Sequence, residues 1–153
     1  MLNVTRRPLL PLLAALALLA PAALGQQKPD KEKEGPPFRE YKGVRIGMAA
    51  DEARKMLGDP ADKGDQQDFY SFSDNETAQI FYDPQKKVFA ISVIYDGAGS
   101  GVPTAKAVLG TDIEAKADGS MHQRVDFPKA NCWVAYSRTG GDSPLVTVTL
   151  QKK

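Results

Sequence analysis

The 153 residues carry 20 Lys and Arg against 19 Asp and Glu, a formal net charge of +1, with one cysteine and one histidine. So even a balance leaves no electrostatic footprint for nucleic acid. One cysteine closes no internal disulfide, and one histidine with one cysteine falls short of the usual ligand set of a zinc site. No cofactor is expected.

In chain order, Arg6 and Arg7 precede an apolar run from Leu9 to Leu24 that Pro11 and Pro21 interrupt, followed by Ala23-Leu24-Gly25. A charged start, a short apolar stretch and small residues at the end are the parts of a secretory signal peptide, predicted over 1–25 with cleavage near Gly25. A spanning helix needs about 20 continuous apolar residues, so no transmembrane anchor is expected. Thr5 to Leu10 has the outline of a twin-arginine signal, but the leucine-rich core favours the general export route. Without residues 1–25 the basic count falls from 20 to 18 against 19 acidic, giving −1. Residues 26–42 are rich in charge and proline and nearly devoid of apolar side chains. Such a stretch buries too little to offset its ordering entropy, and a disordered tether is predicted there.

The next segment, Gly47 to Pro60, reads as a short helix. Ala49, Ala53, Met56 and Leu57 fall on one apolar stripe, with Arg54 and Lys55 off it near the negative end of the helix dipole. Asp51 and Glu52 suit the first turn, Gly58 can close the helix, and Pro60 cannot continue it. Three strands are predicted to follow, near Asp68 to Ser73, Ala78 to Tyr82 and Val88 to Tyr95. Gly97 to Gly101 reads as a flexible joint; it has neither the Gly-Lys-Ser/Thr nor the G-x-G-x-x-G spacing of a phosphate loop.

Shifted by 52 residues, Ala105, Lys106, Val108, Leu109 and Gly110 fall on Ala53, Arg54, Met56, Leu57 and Gly58. Three more strands are predicted near Met121 to Phe127, Cys132 to Ser137 and Leu145 to Gln151. Spacing of this kind suggests a tandem duplication. The expected fold is α+β: two units, 43–97 and 102–153, each a helix plus three antiparallel strands, joined at 98–101. Together they would form one curved sheet of about six strands with the helices on one face.

The Gly47-Met48 pair, with Glu52, Ala53, Met56, Leu57, Gly58 and Pro60, resembles the signature of the SmpA/OmlA (BamE-like) family of outer-membrane assembly factors. Ala78 to Asp83 is similar to the family's apolar-x-apolar-x-aromatic-Asp strand, so the resemblance covers about Gly43 to Tyr95. Ala49 departs from it, standing where the family has an N-capping hydroxyl, a loss of roughly 1 kcal/mol unless Asp51 caps instead. The family usually carries a lipid on a cysteine at the cleavage site. This chain's cysteine is Cys132, so no lipid anchor by that route is expected, and the product is expected in the periplasm or secreted. The paired units also resemble, in arrangement, the beta-lactamase inhibitor protein.

Strand alternation divides the side chains. Met121, Val125, Phe127, Cys132, Val134, Tyr136, Val146, Val148 and Leu150 are predicted to face the helices, along with Ala78, Ile80, Phe89, Ile91 and Val93. The opposite face then presents His122, Arg124, Asp126, Trp133 and Phe81, together with Gln79, Val88 and Ser92. Trp and Arg are enriched among binding hot spots, which makes Trp133, Arg124, His122, Asp126 and Phe81 candidate protein-binding residues. His122 and Cys132 fall on opposite faces, and no acid–base pair is evident, so catalysis is not expected. The resemblance implies a non-catalytic, exported protein-binding or envelope-assembly module with a protein partner in the cell envelope. An inhibitor of an envelope or extracellular enzyme, and a small-ligand carrier, are the alternatives.

Overall fold

The computed structural model describes residues 35–97 and 101–153. The expected signal peptide, the start of the tether and residues 98–100 of the joint lie outside them. The chain is mainly β. Among the described residues there are nine strands: β1 (Glu40–Tyr41), β2 (Val44–Arg45), β3 (Asp62–Lys63), β4 (Gln67–Ser73), β5 (Glu76–Tyr82), β6 (Val88–Asp96), β7 (Met121–Phe127), β8 (Cys132–Arg138) and β9 (Leu145–Lys152). There are two α-helices, α1 (Ala50–Leu57) and the five-residue α2 (Ala105–Leu109). β1 and β2 form a small hairpin, and the other seven strands form one antiparallel sheet in the order β3-β4-β5-β6-β9-β8-β7.

This overturns the expected α+β class built from two helix-plus-three-strand units with helices on one face. The long strands lie within a residue or two of their predicted positions, because alternating apolar and polar residues specify them directly. The helices are too short to balance the strands of each expected unit: α1 has eight residues and α2 five. α2 is a single turn and a half, held between Pro103 and Gly110, with Thr104 Oγ1 accepting from the Ala107 N–H at 3.2 Å. The pieces β1, β2 and β3 are too short to show periodicity. Residues 35–42 of the predicted tether hold the strand β1, and Tyr41 there is 5% exposed.

The register puts one layer of side chains in line across the sheet. Ile80 of β5 stands opposite Ile91 of β6, which faces Leu150 of β9, which faces Val134 of β8. Ala78, Val93, Val148 and Tyr136 form the next row. These residues are buried in one cluster with Tyr41, Val44 and Met48 from the N-terminal segment, Ala50 and Ala53 of α1, and Val108 and Leu109 of α2. Burial of this contiguous apolar surface is the main stabilising term.

Two details depart from the expected pattern. In α1 the buried residues are Ala50 and Ala53, while Met56 is 53% exposed; the helix is rotated so that Arg54, predicted to point away, reaches the sheet. In β6 the register slips between Phe81 and Tyr82: Phe81 faces Ala90, yet Tyr82 faces Val88. Phe89 is thus an extra residue, a β-bulge that reverses the faces at this end. Val88, expected outside, is buried in the core, and Phe89, expected inside, lies half-buried on the outer side. The bulge frees Val88 to pair with the Gly47-Met48 backbone. The Gly47 N–H donates to the Val88 carbonyl at 2.7 Å, and the Val88 N–H donates to the Met48 carbonyl at 2.8 Å. Gly47 has φ +85°, a conformation costly for any residue with a Cβ.

Candidate functional site

The outer face of the sheet is built by the same register, from the alternate residues. One row runs Phe81 (β5), Ala90 (β6), Gln151 (β9), Trp133 (β8), Asp126 (β7). The next runs Phe69, Gln79, Ser92, Thr149, Ala135, Arg124, and a third Thr77, Ile94, Thr147, Ser137, His122. None of these residues belongs to the buried core cluster, and apart from Ala90 they are half-buried or exposed. β6, apolar on both sides, is thus central in the plane of the sheet yet uncovered by any core cluster on this face. Ile94, at 36% exposure, shows it most plainly.

All five candidate residues lie on this face, but the structure does not bring them to one point. Trp133, Arg124 and Asp126 form a group on β8 and β7. The Arg124 guanidinium carbon is 4.4 Å from the Trp133 ring centroid, a cation–π contact. Arg124 Nε donates to Asp126 Oδ1 at 3.2 Å, and Lys153 Nζ lies 3.0 Å from Asp126 Oδ2. The Lys153 and Arg124 hydrogen bonds hold the Asp126 carboxyl below its ordinary value. His122, exposed, is opposite Ser137 two rows from Trp133. Phe81 is in the Trp133 row but three strands away, roughly 14 Å at the usual strand spacing. It forms a second group with Phe89, their ring centroids 6.2 Å apart at 56°. Phe89 was missed by the sequence reading because unbroken alternation puts it in the core.

A second constellation was also missed. Asp68 is 0% exposed on the inner face at the base of β4. Its carboxylate accepts from Arg54 Nε at 2.8 Å, Arg54 Nη2 at 3.1 Å, the Tyr82 hydroxyl at 2.7 Å and the Gly64 N–H at 3.2 Å. Burial pushes this carboxyl up; the bonds from Arg54, Tyr82 and Gly64 and the Arg54 charge outweigh it and hold it below its ordinary range. Burial, then the bond to Asp68, pushes the Tyr82 hydroxyl well above its usual value. The signal for this cluster was present: Asp68 shares the inward parity of Tyr70, and a lone carboxylate on an apolar face requires a partner. The group closes α1 onto the sheet, and its bonds are internally satisfied.

The remaining reactive side chains of the described residues do not converge. Among them no three His, Cys, Asp or Glu side chains are grouped to hold a metal. Cys132 is buried on the inner face, opposite Phe127, and burial pushes its thiol up, away from the reactive thiolate. Among the described residues no helix is long and apolar enough to cross a membrane. Comparison of the chain with protein-family models, curated proteins and solved structures returned no match.

Proposed function

We propose that this protein is a non-catalytic, exported protein-binding module of the cell envelope, with an SmpA/OmlA-like assembly role, that docks its partner on the open outer face of the sheet. The observation that carries the reading is that face itself: an antiparallel surface with Phe81 and Phe89 at one end and the Trp133–Arg124 stack at the other. An aromatic and an arginine set in a surface of half-buried polar side chains is the composition of a protein interface, with apolar anchors and a polar surround. The charged, leucine-rich and proline-broken start of the chain supports export, and the Gly47-Met48 to Pro60 resemblance supports an envelope role.

The test is affinity capture from envelope extracts with the wild-type protein and with Trp133→Ala and Phe81→Ala, alongside mass analysis of the exported product. A specific outer-membrane or periplasmic partner whose capture drops about tenfold or more with either substitution is the expected result. Capture indifferent to both substitutions would remove the outer face from consideration. A captured hydrolase that loses its activity on binding would replace the assembly role by inhibition through the same surface. Processing near Gly25 checks the export part separately.

A further inference from the structure

The two edges of the seven-stranded sheet are unlike. One is closed by β3, two exposed charged residues long, the kind of short charged strand that discourages pairing. The other is β7, seven residues in unbroken register with β8 and without proline. Among the described residues outside the sheet, none makes a backbone hydrogen bond to β7. Its inward side chains, Met121, Gln123, Val125 and Phe127, are uncharged, so the edge also lacks an inward-pointing charge to guard it.

We propose that β7 is a self-association edge, pairing antiparallel with β7 of a second copy about a two-fold axis at Val125 to make one continuous sheet across two chains. The occupant follows from charge. A two-fold pairing that keeps inner face with inner face must be centred on a residue. Centred on Arg124 it sets Arg124 against its own copy; centred on Asp126 it sets two carboxylates together. Centred on Val125, Arg124 of each chain stands opposite Asp126 of the other, Val125 meets Val125, and Gln123 meets Phe127. Opposite charges two residues apart on one strand are the arrangement that an antiparallel copy satisfies twice, and directly opposed unlike charges favour such pairs. The pairing goes beyond the partner-binding role and does not depend on it, since its backbone bonds run along the strand's edge, although Arg124 and Asp126, which set its register, also belong to the outer face. It would, however, make the outer faces of two copies one surface.

Sedimentation equilibrium of the protein as the cell produces it, between about 1 μM and about 1 mM, tests this. The wild type is expected to reach twice the monomer mass within that range. Arg124→Asp puts a carboxylate against Asp126, and Asp126→Arg puts a guanidinium against Arg124; each alone is expected to weaken self-association about tenfold or more. Mixing the two variants should restore a dimer, because one chain then presents a carboxylate at both positions and the other a guanidinium at both. The double exchange in a single chain should restore it as well. Circular dichroism melts matching wild type exclude unfolding as the cause. A wild type that stays monomeric throughout overturns the proposal, as does a dimer indifferent to both single variants or variants whose mixture stays monomeric.

Discussion

Asp68 and Arg54 are joined by two hydrogen bonds, Nε to Oδ2 at 2.8 Å and Nη2 to Oδ1 at 3.1 Å, with the carboxylate fully buried and the guanidinium side chain partly exposed. A planar guanidinium is suited to this paired geometry, and lysine could not reproduce it. The same guanidinium reaches the Gly64 carbonyl at 3.2 Å and lies over the Tyr82 ring at 5.5 Å. An eight-residue helix with a buried side made of alanines has little apolar area to hold it. The ion pair supplies the fixed point that apolar contact does not.

Removing one member leaves the other unsatisfied, and for a buried pair that cost is about 3–5 kcal/mol. Arg54→Met, which abandons the buried Asp68, is expected at the upper end of this range. The pair of changes Arg54→Met with Asp68→Leu should recover part of the loss, since two apolar groups strand no charge there, although the Tyr82 hydroxyl still lacks its acceptor. Urea denaturation of the single and double variants measures both quantities.

The pH dependence follows from the same group. The folded-state value of Asp68 lies below its unfolded value, so the unfolded chain binds the proton more readily. Its contribution is complete above the ordinary carboxylate range, near 4, and is lost as pH falls through the folded value. At the alkaline end Tyr82 and Tyr41 act in the opposite sense. Both hydroxyls are raised by burial first and then by their bonds to Asp68 and Glu76, so their contribution holds below about pH 10 and fades above it. Thermal melts from pH 2 to pH 11 should show a plateau between these limits. The acid slope should be shallower in the Arg54→Met, Asp68→Leu double variant.

Tyr70 is fully buried, and its hydroxyl makes no hydrogen bond of ordinary geometry among the described residues; the neighbouring Tyr82 hydroxyl that acts on it is itself committed to Asp68. Its ring stacks on Phe72 at 5.7 Å with the planes 5° apart. Tyr70→Phe keeps the stack and removes the unsatisfied oxygen, so it is expected to leave stability unchanged or raise it by about 1 kcal/mol. A loss of more than about 1 kcal/mol would show that the hydroxyl is satisfied in solution.

The N-terminus of α1 offers a gain of another kind. Ala49 occupies the N-cap position in extended conformation, φ −68° and ψ 145°, with no side-chain cap; Asp51 does not substitute, its carboxylate lying 3.4 Å from Arg54 Nη1 instead. Ala49 is exposed. Ala49→Ser supplies the missing acceptor to the first-turn N–H groups and should add about 0.5–2 kcal/mol, read from the denaturation midpoint at unchanged slope.

Much of the sheet was legible in the sequence. The long strands and the outward set Trp133, Arg124, Asp126, His122 and Phe81 all follow from a period of two, which one-sided burial enforces strongly. What was illegible is what periodicity does not encode. Strands of two residues show no period. A bulge changes parity at one residue without a compositional mark. The orientation of α1 was decided by a contact between Arg54 and Asp68, fourteen positions apart, against an apolar stripe that favoured Met56. The α+β expectation fails because the best-marked segment of the chain is a helix, while far more of the described residues lie in strands than in helices.

The slip at Phe89 works as a phase shifter between two sets of requirements. Toward the turn, β6 answers to the backbone of Gly47 and Met48, which fixes Val88 in place. Beyond it, the strand answers to β9 and keeps Ile91 and Val93 in the core. Phe89, owed to neither partner, is the position at which the outer surface can be rewritten without unseating the N-terminal segment. The side chain at that position can therefore vary while the scaffold stays the same.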